Sequence, residues 1–213
     1  VTDGIHQGGF KVQIAPQPLI GMAHGTAGIA RALFSLYQLT GDRGLKVAIR
    51  EALAYERFHF DRERQDWPNL QYQGDTPSFM TGWCSGAPGI GLARLTMLDG
   101  WDDDDLMPEI EAACQATLRH LGSGTHHLCC GEAGRIIFSI NAAISLARPD
   151  LYQAAAQASI QTIEFYERQG FWKLQEISAR SIIPGLTDGV AGVGLSLLTL
   201  LAPQQTSKFL TLS

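Results

Sequence analysis

The chain is predicted to be all-α. Apolar residues recur at helical spacing in segment after segment, and no stretch shows the period-two alternation of a strand. Four junctions also share one grammar: a polar or sulfur residue, then Gly-x-x-Gly, then an apolar helix. They are His24-Gly25-x-x-Gly28, Ser85-Gly86-x-x-Gly89, Cys130-Gly131-x-x-Gly134 and Asp188-Gly189-x-x-Gly192. A lone Gly-x-x-Gly is a weak signal, whereas four of them opening four helices indicate repeated helical pairs that bury their apolar faces by stacking.

Residues up to Pro18 are broken by Gly and Pro and show no sustained period. Ile29, Leu33 and Leu36 then place a first helix over 29–39, and Thr40-Gly41-Asp42 ends it. Leu45, Ile49, Ala52 and Tyr55 lie on one face of a second helix over 45–60, which makes an αα-hairpin with the first. The polar stretch 60–78, with Pro68, Gly74 and Pro77, is expected to be a long loop of the functional or mobile kind. A third helix is expected over 90–97. The acidic run Asp102 to Asp105 and Pro108 mark the start of a fourth, reaching residue 121. That run lacks the ligand spacing and glycine of a calcium loop. Fifth and sixth helices are expected over 135–147 and 151–168, 171–183 is ambiguous, and a last apolar helix follows Gly189 to Leu201.

With 213 residues, the chain is long enough to bury a substantial core. Apolar residues make up 45% and charged residues 17%, so it reads as an ordinary globular protein. A net charge of −5 with no basic run excludes nucleic acid as an expected partner. The longest apolar stretch, 190–202, is shorter than the roughly 18 residues of a membrane span, and no signal peptide is visible. Four cysteines, two of them adjacent, fit reduced thiols in a cytoplasmic protein better than a disulfide framework. Because residue 1 is Val rather than Met, further sequence is expected upstream.

Three thiols fall on equivalent junctions. Aligning the four repeats puts His24, Ser85, Cys130 and Asp188 at one position and Ala23, Cys84, Cys129 and Thr187 one earlier. Helix starts that converge at one end of a common axis would let Cys84, Cys129, Cys130 and His24 line one pocket, where the helix dipoles favour thiolate. The plainer reading is that each cysteine is a small buried hydrophobe, since the spacing is not that of a zinc finger. Cys114, alone in the middle of a helix, reads as core.

The motifs Gly21-Met22-Ala23-His24-Gly25-Thr26-Ala27-Gly28-Ile29-Ala30, Trp83-Cys84-Ser85-Gly86-Ala87-Pro88-Gly89 (continuing Ile-Gly-Leu-Ala-Arg-Leu) and Leu128-Cys129-Cys130-Gly131-Glu132-Ala133-Gly134-Arg135 resemble, in order, those of the lanthionine synthetase C-like cyclases. Phe79-Met80-Thr81-Gly82-Trp83-Cys84 is closest to the C-terminal cyclase domain of bifunctional class II lanthipeptide (lantibiotic) synthetases. The resemblance covers nearly the whole chain. It implies an α/α toroid of seven helical hairpins, of which residues 1–213 would form the C-terminal four or so, with a natural end at Ser207–Ser213 and the rest of the toroid and a dehydratase domain upstream. It also implies zinc held by Cys84, Cys129 and Cys130, in the subset with Cys-Cys where many members have Cys-His, and His24 as acid or base. In two respects the chain departs from the family. Met80 stands where some members carry Arg, and a catalytic Asp of an earlier repeat has no counterpart.

The chemistry implied is addition of cysteine thiolates to dehydroalanine or dehydrobutyrine of a ribosomal precursor peptide, forming thioether rings. Zinc with three thiolate ligands keeps a fourth position for the incoming thiol, and a histidine near its ordinary pKa can protonate the enolate. Other residues carry more than one reading. His126 and His127 are expected at the rim, with His127 a candidate to support a metal ligand from behind without touching the metal. Asp188 reads as a helix N-cap, and Trp83 as packing or pocket wall. Arg135 fits a substrate carbonyl or a surface role equally well. Two rival functions fit the same residues: a zinc thiol-transferase that adds glutathione to dehydroamino acids, and a non-catalytic zinc-containing peptide-binding half-toroid. A six-hairpin glycosidase would need paired carboxylates where the motifs offer thiols.

Overall fold

The structure is a computed structural model that describes residues 17–71, 76–174 and 183–206. The ambiguous stretch 171–183 and the expected natural end fall largely outside these residues. The described residues form α1 (Thr26–Thr40), α2 (Arg43–Phe58), α3 (Ala87–Met97), α4 (Leu106–Leu118), α5 (Glu132–Ser145), α6 (Pro149–Gln169), α7 (Val190–Leu201) and the short α8 (Pro203–Thr206). No strand occurs among them, only an isolated bridge between Asp61 and Asp66 in the long loop.

Helices α1, α3 and α5 start earlier than the apolar periodicity indicated, because each, like α7, begins directly after the first glycine of its Gly-x-x-Gly. In α3, Pro88 sits in the first turn, where its missing N–H costs nothing. α1 ends on Gly41 at φ 69°, whose N–H donates to the Tyr37 carbonyl, and Asp42 then caps α2 by accepting from the Gly44 N–H at 2.8 Å. α8 was not expected, since four residues are too few to show a period.

Consecutive helices pair as α1/α2, α3/α4 and α5/α6, and α1, α3, α5 and α7 pack successively on one another. The result is an inner row of four helices backed by α2, α4 and α6. The main core lies where Ile90 and Leu92 of α3, Ile110 and Ala113 of α4 and Phe138 of α5 meet, all fully buried. The Phe138 ring rests on Gly91, where an added Cβ would stand 2.5 Å from it. Burying that ring contributes about 2–3 kcal/mol. A second core joins Phe34 of α1 to Ile49 and Leu53 of α2, with Met97 and Trp101 beneath.

Buried charge ties the pairs together. Arg94 on α3, wholly inaccessible, donates to Glu56 of α2 at 2.7 Å and to Glu109 of α4 at 2.6 Å. Glu109 also accepts from Arg57, which reaches Asp103 at 3.0 Å. The acidic run therefore anchors an arginine in addition to opening α4. At the ends of the inner row the apolar surface is uncovered: Ile29, Leu36 and Leu39 of α1, and Leu198 and Leu201 of α7, are exposed.

Candidate metal centre

Each inner helix is entered by a loop that folds back over its own start. In three of the four junctions the first helical N–H donates to the carbonyl seven residues earlier: Thr26 to Leu19, Glu132 to Thr125 and Val190 to Ile183. The second glycine of each motif faces the carbonyl six residues back. A Cβ there would lie 2.1 Å from Met22 O at Gly28, 2.0 Å from Trp83 O at Gly89, 2.3 Å from Leu128 O at Gly134 and 2.2 Å from Leu186 O at Gly192. No side chain fits in such a gap, which is the physical reason for the repeated glycine.

The four loops are joined side by side. Ala23 N–H donates to Cys84 O at 3.0 Å, Cys84 N–H to Cys129 O at 2.9 Å, and Cys129 N–H to Thr187 O at 2.8 Å. These are the residues that the repeat alignment placed in one column, so the hydrogen bonds form a ladder with one rung per repeat step. The ladder brings Cys84 and Cys129 together, and Cys130 follows directly. Their three Sγ atoms lie within 4.8 Å of one another, close enough to hold one metal ion. Cys84 is buried, and Cys129 and Cys130 are half-buried. A compact set of three soft sulfur donors fits zinc, which takes thiolate ligands in tetrahedral sites. Cys114 lies apart, buried on α4.

Without a cation the three thiols cannot all ionise. Hydrogen bonds from Cys129, Cys84 and His127 hold Cys130 far below the ordinary thiol range. Its two neighbours move the other way. Cys129 is raised by its hydrogen bonds to Cys130 and Cys84 and by burial. At Cys84 the Cys129 hydrogen bond favours the thiolate, but Cys130 and burial outweigh it and push the thiol up to about 11.

The remaining predicted residues fall around this triangle. His24 is exposed, one residue beyond the Ala23 rung. His127 and His126 are 6% and 7% exposed, so neither is a rim residue. His127 Nε2 lies 3.9 Å from Cys130 Sγ, and its Nδ1 lies 3.8 Å from Asp188 Oδ1. His126 instead packs edge-on against Phe165 and accepts at Nδ1 from Lys173 N–H. Burial, with Lys173 and His127 nearby, lowers its pKa to about 4. Asp188 does not cap α7: Gly189 holds the N-cap position without a side-chain bond, and Asp188 accepts from Thr187 Oγ1. Trp83 packs against Leu128, Ala133 and Ile137 as the wall beside the triangle. Arg135 is buried rather than on the surface, and its guanidinium binds protein carbonyls. Sequence reasoning missed Glu132, which is 2% exposed and accepts from Gly122 and Ser123 N–H. A cavity of about 390 Å³, lined by Gly122, His126, Phe165 and Lys173 among others, does not include the thiols. No helix among the described residues is long and apolar enough to cross a membrane.

This arrangement defines a helical-hairpin array with a three-thiol site at the starts of its two middle inner helices, α3 and α5. Residues 11–212 match the sequence model of the lanthionine synthetase C-like proteins, and the chain belongs to that family. Among solved structures it is similar to nisin cyclase, with a TM-score of 0.68 at 20% identity over 91% of this chain, which identifies the fold as an α/α toroid. The chain spans 50% of the length of that protein. No curated protein sequence matches it.

Proposed function

We propose that this chain is the C-terminal part of a zinc-dependent lanthipeptide cyclase domain, of the class II bifunctional kind, acting in the cytoplasm. The observation that carries the reading is the convergence of Cys84, Cys129 and Cys130 on one point, in a chain belonging to the lanthionine synthetase C-like family. Its substrate is a ribosomal precursor peptide whose Ser and Thr have been dehydrated by a domain upstream in the parent protein.

Cys84, Cys129 and Cys130 would hold the zinc, leaving room for one more ligand. Zinc bound there would supply Lewis acidity that keeps a substrate cysteine deprotonated, and so nucleophilic, at neutral pH. The chain's own residues do the rest. The ladder fixes the thiols relative to the exposed His24, which stands on the adjacent loop. Addition forms a bond from sulfur to the β-carbon of dehydroalanine or dehydrobutyrine and moves the double-bond electrons onto the enolate. His24 returns a proton to the α-carbon, so that the net change is addition of S–H across C=C. His127 orients Cys130 from the far side, with Asp188 behind it. Trp83 bounds the site on its apolar side.

Metal analysis of the purified chain tests the first half of this proposal, with about one zinc per chain expected; a folded, metal-free protein that takes up no zinc would sink it. The second half is tested by mass spectrometry after thiol alkylation of a dehydrated precursor peptide. The full-length parent should close rings and its Cys130→Ala variant should not. Unchanged cyclisation in that variant would refute activation at the thiols. Zinc retained without cyclisation in the parent would favour a non-catalytic peptide-binding role, and transfer of free glutathione instead of ring closure would favour a thiol-transferase.

A further inference from the structure

The three thiols come from two loops that belong to different repeats, and a metal site works only if these loops keep a fixed separation. One main-chain hydrogen bond, Cys84 N–H to Cys129 O, joins them directly at the ladder. A second connection passes through Arg135. Its Nη1 donates to Thr81 O at 3.1 Å, on the loop that carries Cys84. Its Nη2 donates to Ser123 O, on the loop that leads to Cys129 and Cys130. The same guanidinium is held by Glu132, with Nε at 3.2 Å and Nη2 at 2.9 Å from Oε2. Glu132 in turn accepts from Gly122 N–H at 2.7 Å and Ser123 N–H at 3.2 Å. Both side chains are more than nine-tenths buried.

The contact beside this clamp is close. Gly82, the neighbour of Thr81, lies against Cys130 so tightly that an added Cβ would stand 2.9 Å from both Cys130 Cα and Cβ. A shift of Thr81 relative to α5 therefore carries Gly82 past Cys130 and changes the distance between Cys84 and the other two sulfurs. Arg135 sits in the first turn of α5, five residues after Cys130, so a single rigid fork references both loops to the helix that follows the Cys-Cys pair.

We propose that Arg135, held by Glu132, is a positioning residue for the metal centre, setting the separation of the Cys84 loop from the Cys129–Cys130 loop. The inference rests on the zinc reading given above. It assigns Arg135 no contact with substrate. The planar guanidinium is essential to the role, since a lysine offers one point charge and cannot serve Thr81 O, Ser123 O and Glu132 in fixed directions.

The test uses the whole chain, with Zn²⁺ and Co²⁺ as probes. Affinity is read by competition with a chromophoric chelator, and geometry by the visible and thiolate-to-cobalt charge-transfer bands of the Co²⁺ form. Arg135→Lys should weaken binding of both metals by about 10- to 100-fold, the usual effect of removing a partner that orients metal ligands. It should also shift the cobalt bands in protein that remains folded by circular dichroism. Glu132→Gln should show the same changes in smaller degree, and serves as the second variant if Arg135→Lys does not fold. Phe34→Leu, destabilised in the remote α1/α2 core, should bind both metals as the parent does, separating stability from metal geometry. Folded Arg135→Lys or Glu132→Gln protein with parental affinity and parental cobalt bands would overturn the inference alone. A parent chain that gives no thiolate-to-cobalt band would overturn the zinc reading and this inference together.

Discussion

At the scale of single residues, protons decide when the site can accept a metal. Hydrogen bonds within the cluster and burial raise Cys84, to about 11, and Cys129, and hydrogen bonds lower Cys130. Binding a divalent metal as three thiolates should therefore release protons. Its affinity should rise steeply with pH through the neutral range, and isothermal titration in buffers of different ionisation enthalpy would count those protons directly. His126 should affect folding in acid. Its pKa lies at about 4 in the fold, against 6.5 for a free histidine, so the unfolded chain binds the proton more readily. The stability owed to its neutral ring is complete above about pH 6.5 and is lost as pH falls through about 4, to the extent of roughly 3 kcal/mol. Urea midpoints measured across that window should drop, and His126→Gln should flatten the drop.

At the scale of helices and loops, the junction glycines and the buried ion network are the positions least tolerant of change. Gly134→Ala would put a methyl group 2.3 Å from the backbone oxygen of Leu128 and 3.0 Å from Trp83 Cβ. The expected cost is about 3 kcal/mol or more, against about 1–3 kcal/mol for Gly91→Ala, where the added methyl meets side chains, Phe138 and Ala113, rather than backbone. Arg94→Met would leave Glu56 buried without its cation, and Glu109 with Arg57 alone, and should cost about 3–5 kcal/mol in denaturant unfolding. These two classes of position also show what the sequence reveals. The glycines were legible because each junction repeats the same local steric problem, and the repetition placed Cys84, Cys129 and Cys130 in register before any coordinates. Arg94, Glu56, Glu132 and the burial of His126 and His127 were not legible. Glu56 pairs with Arg94 and Arg135 reaches Thr81 across repeats, and nothing in local spacing announces either pairing. The Asp188 reading failed for a related reason, because a glycine already occupied the cap position.

At the scale of the whole molecule, the inner row has two uncovered ends, and their energetics should differ from those of its middle. Ile29 is 55% exposed and Leu36 is 45% exposed. Replacing both with Gln should move the unfolding free energy by no more than about 0.5 kcal/mol each. Phe34→Ala, one face away on the same helix, should cost about 3–5 kcal/mol. The ladder that crosses the row acts differently, as a reading frame for the loops. Each rung residue stands two positions before its glycine: Ala23 before Gly25, Cys84 before Gly86, Cys129 before Gly131 and Thr187 before Gly189. Chain length well ahead of the junction loop is free to vary, whereas the length through the loop, from the carbonyls that meet the helix start to rung and glycine, is fixed. An extra residue between Arg62 and Glu63, in the exposed turn, should leave metal affinity intact. One extra residue between Cys84 and Gly86 should put that sulfur out of phase with the other two, and the protein should lose its metal while its helices remain.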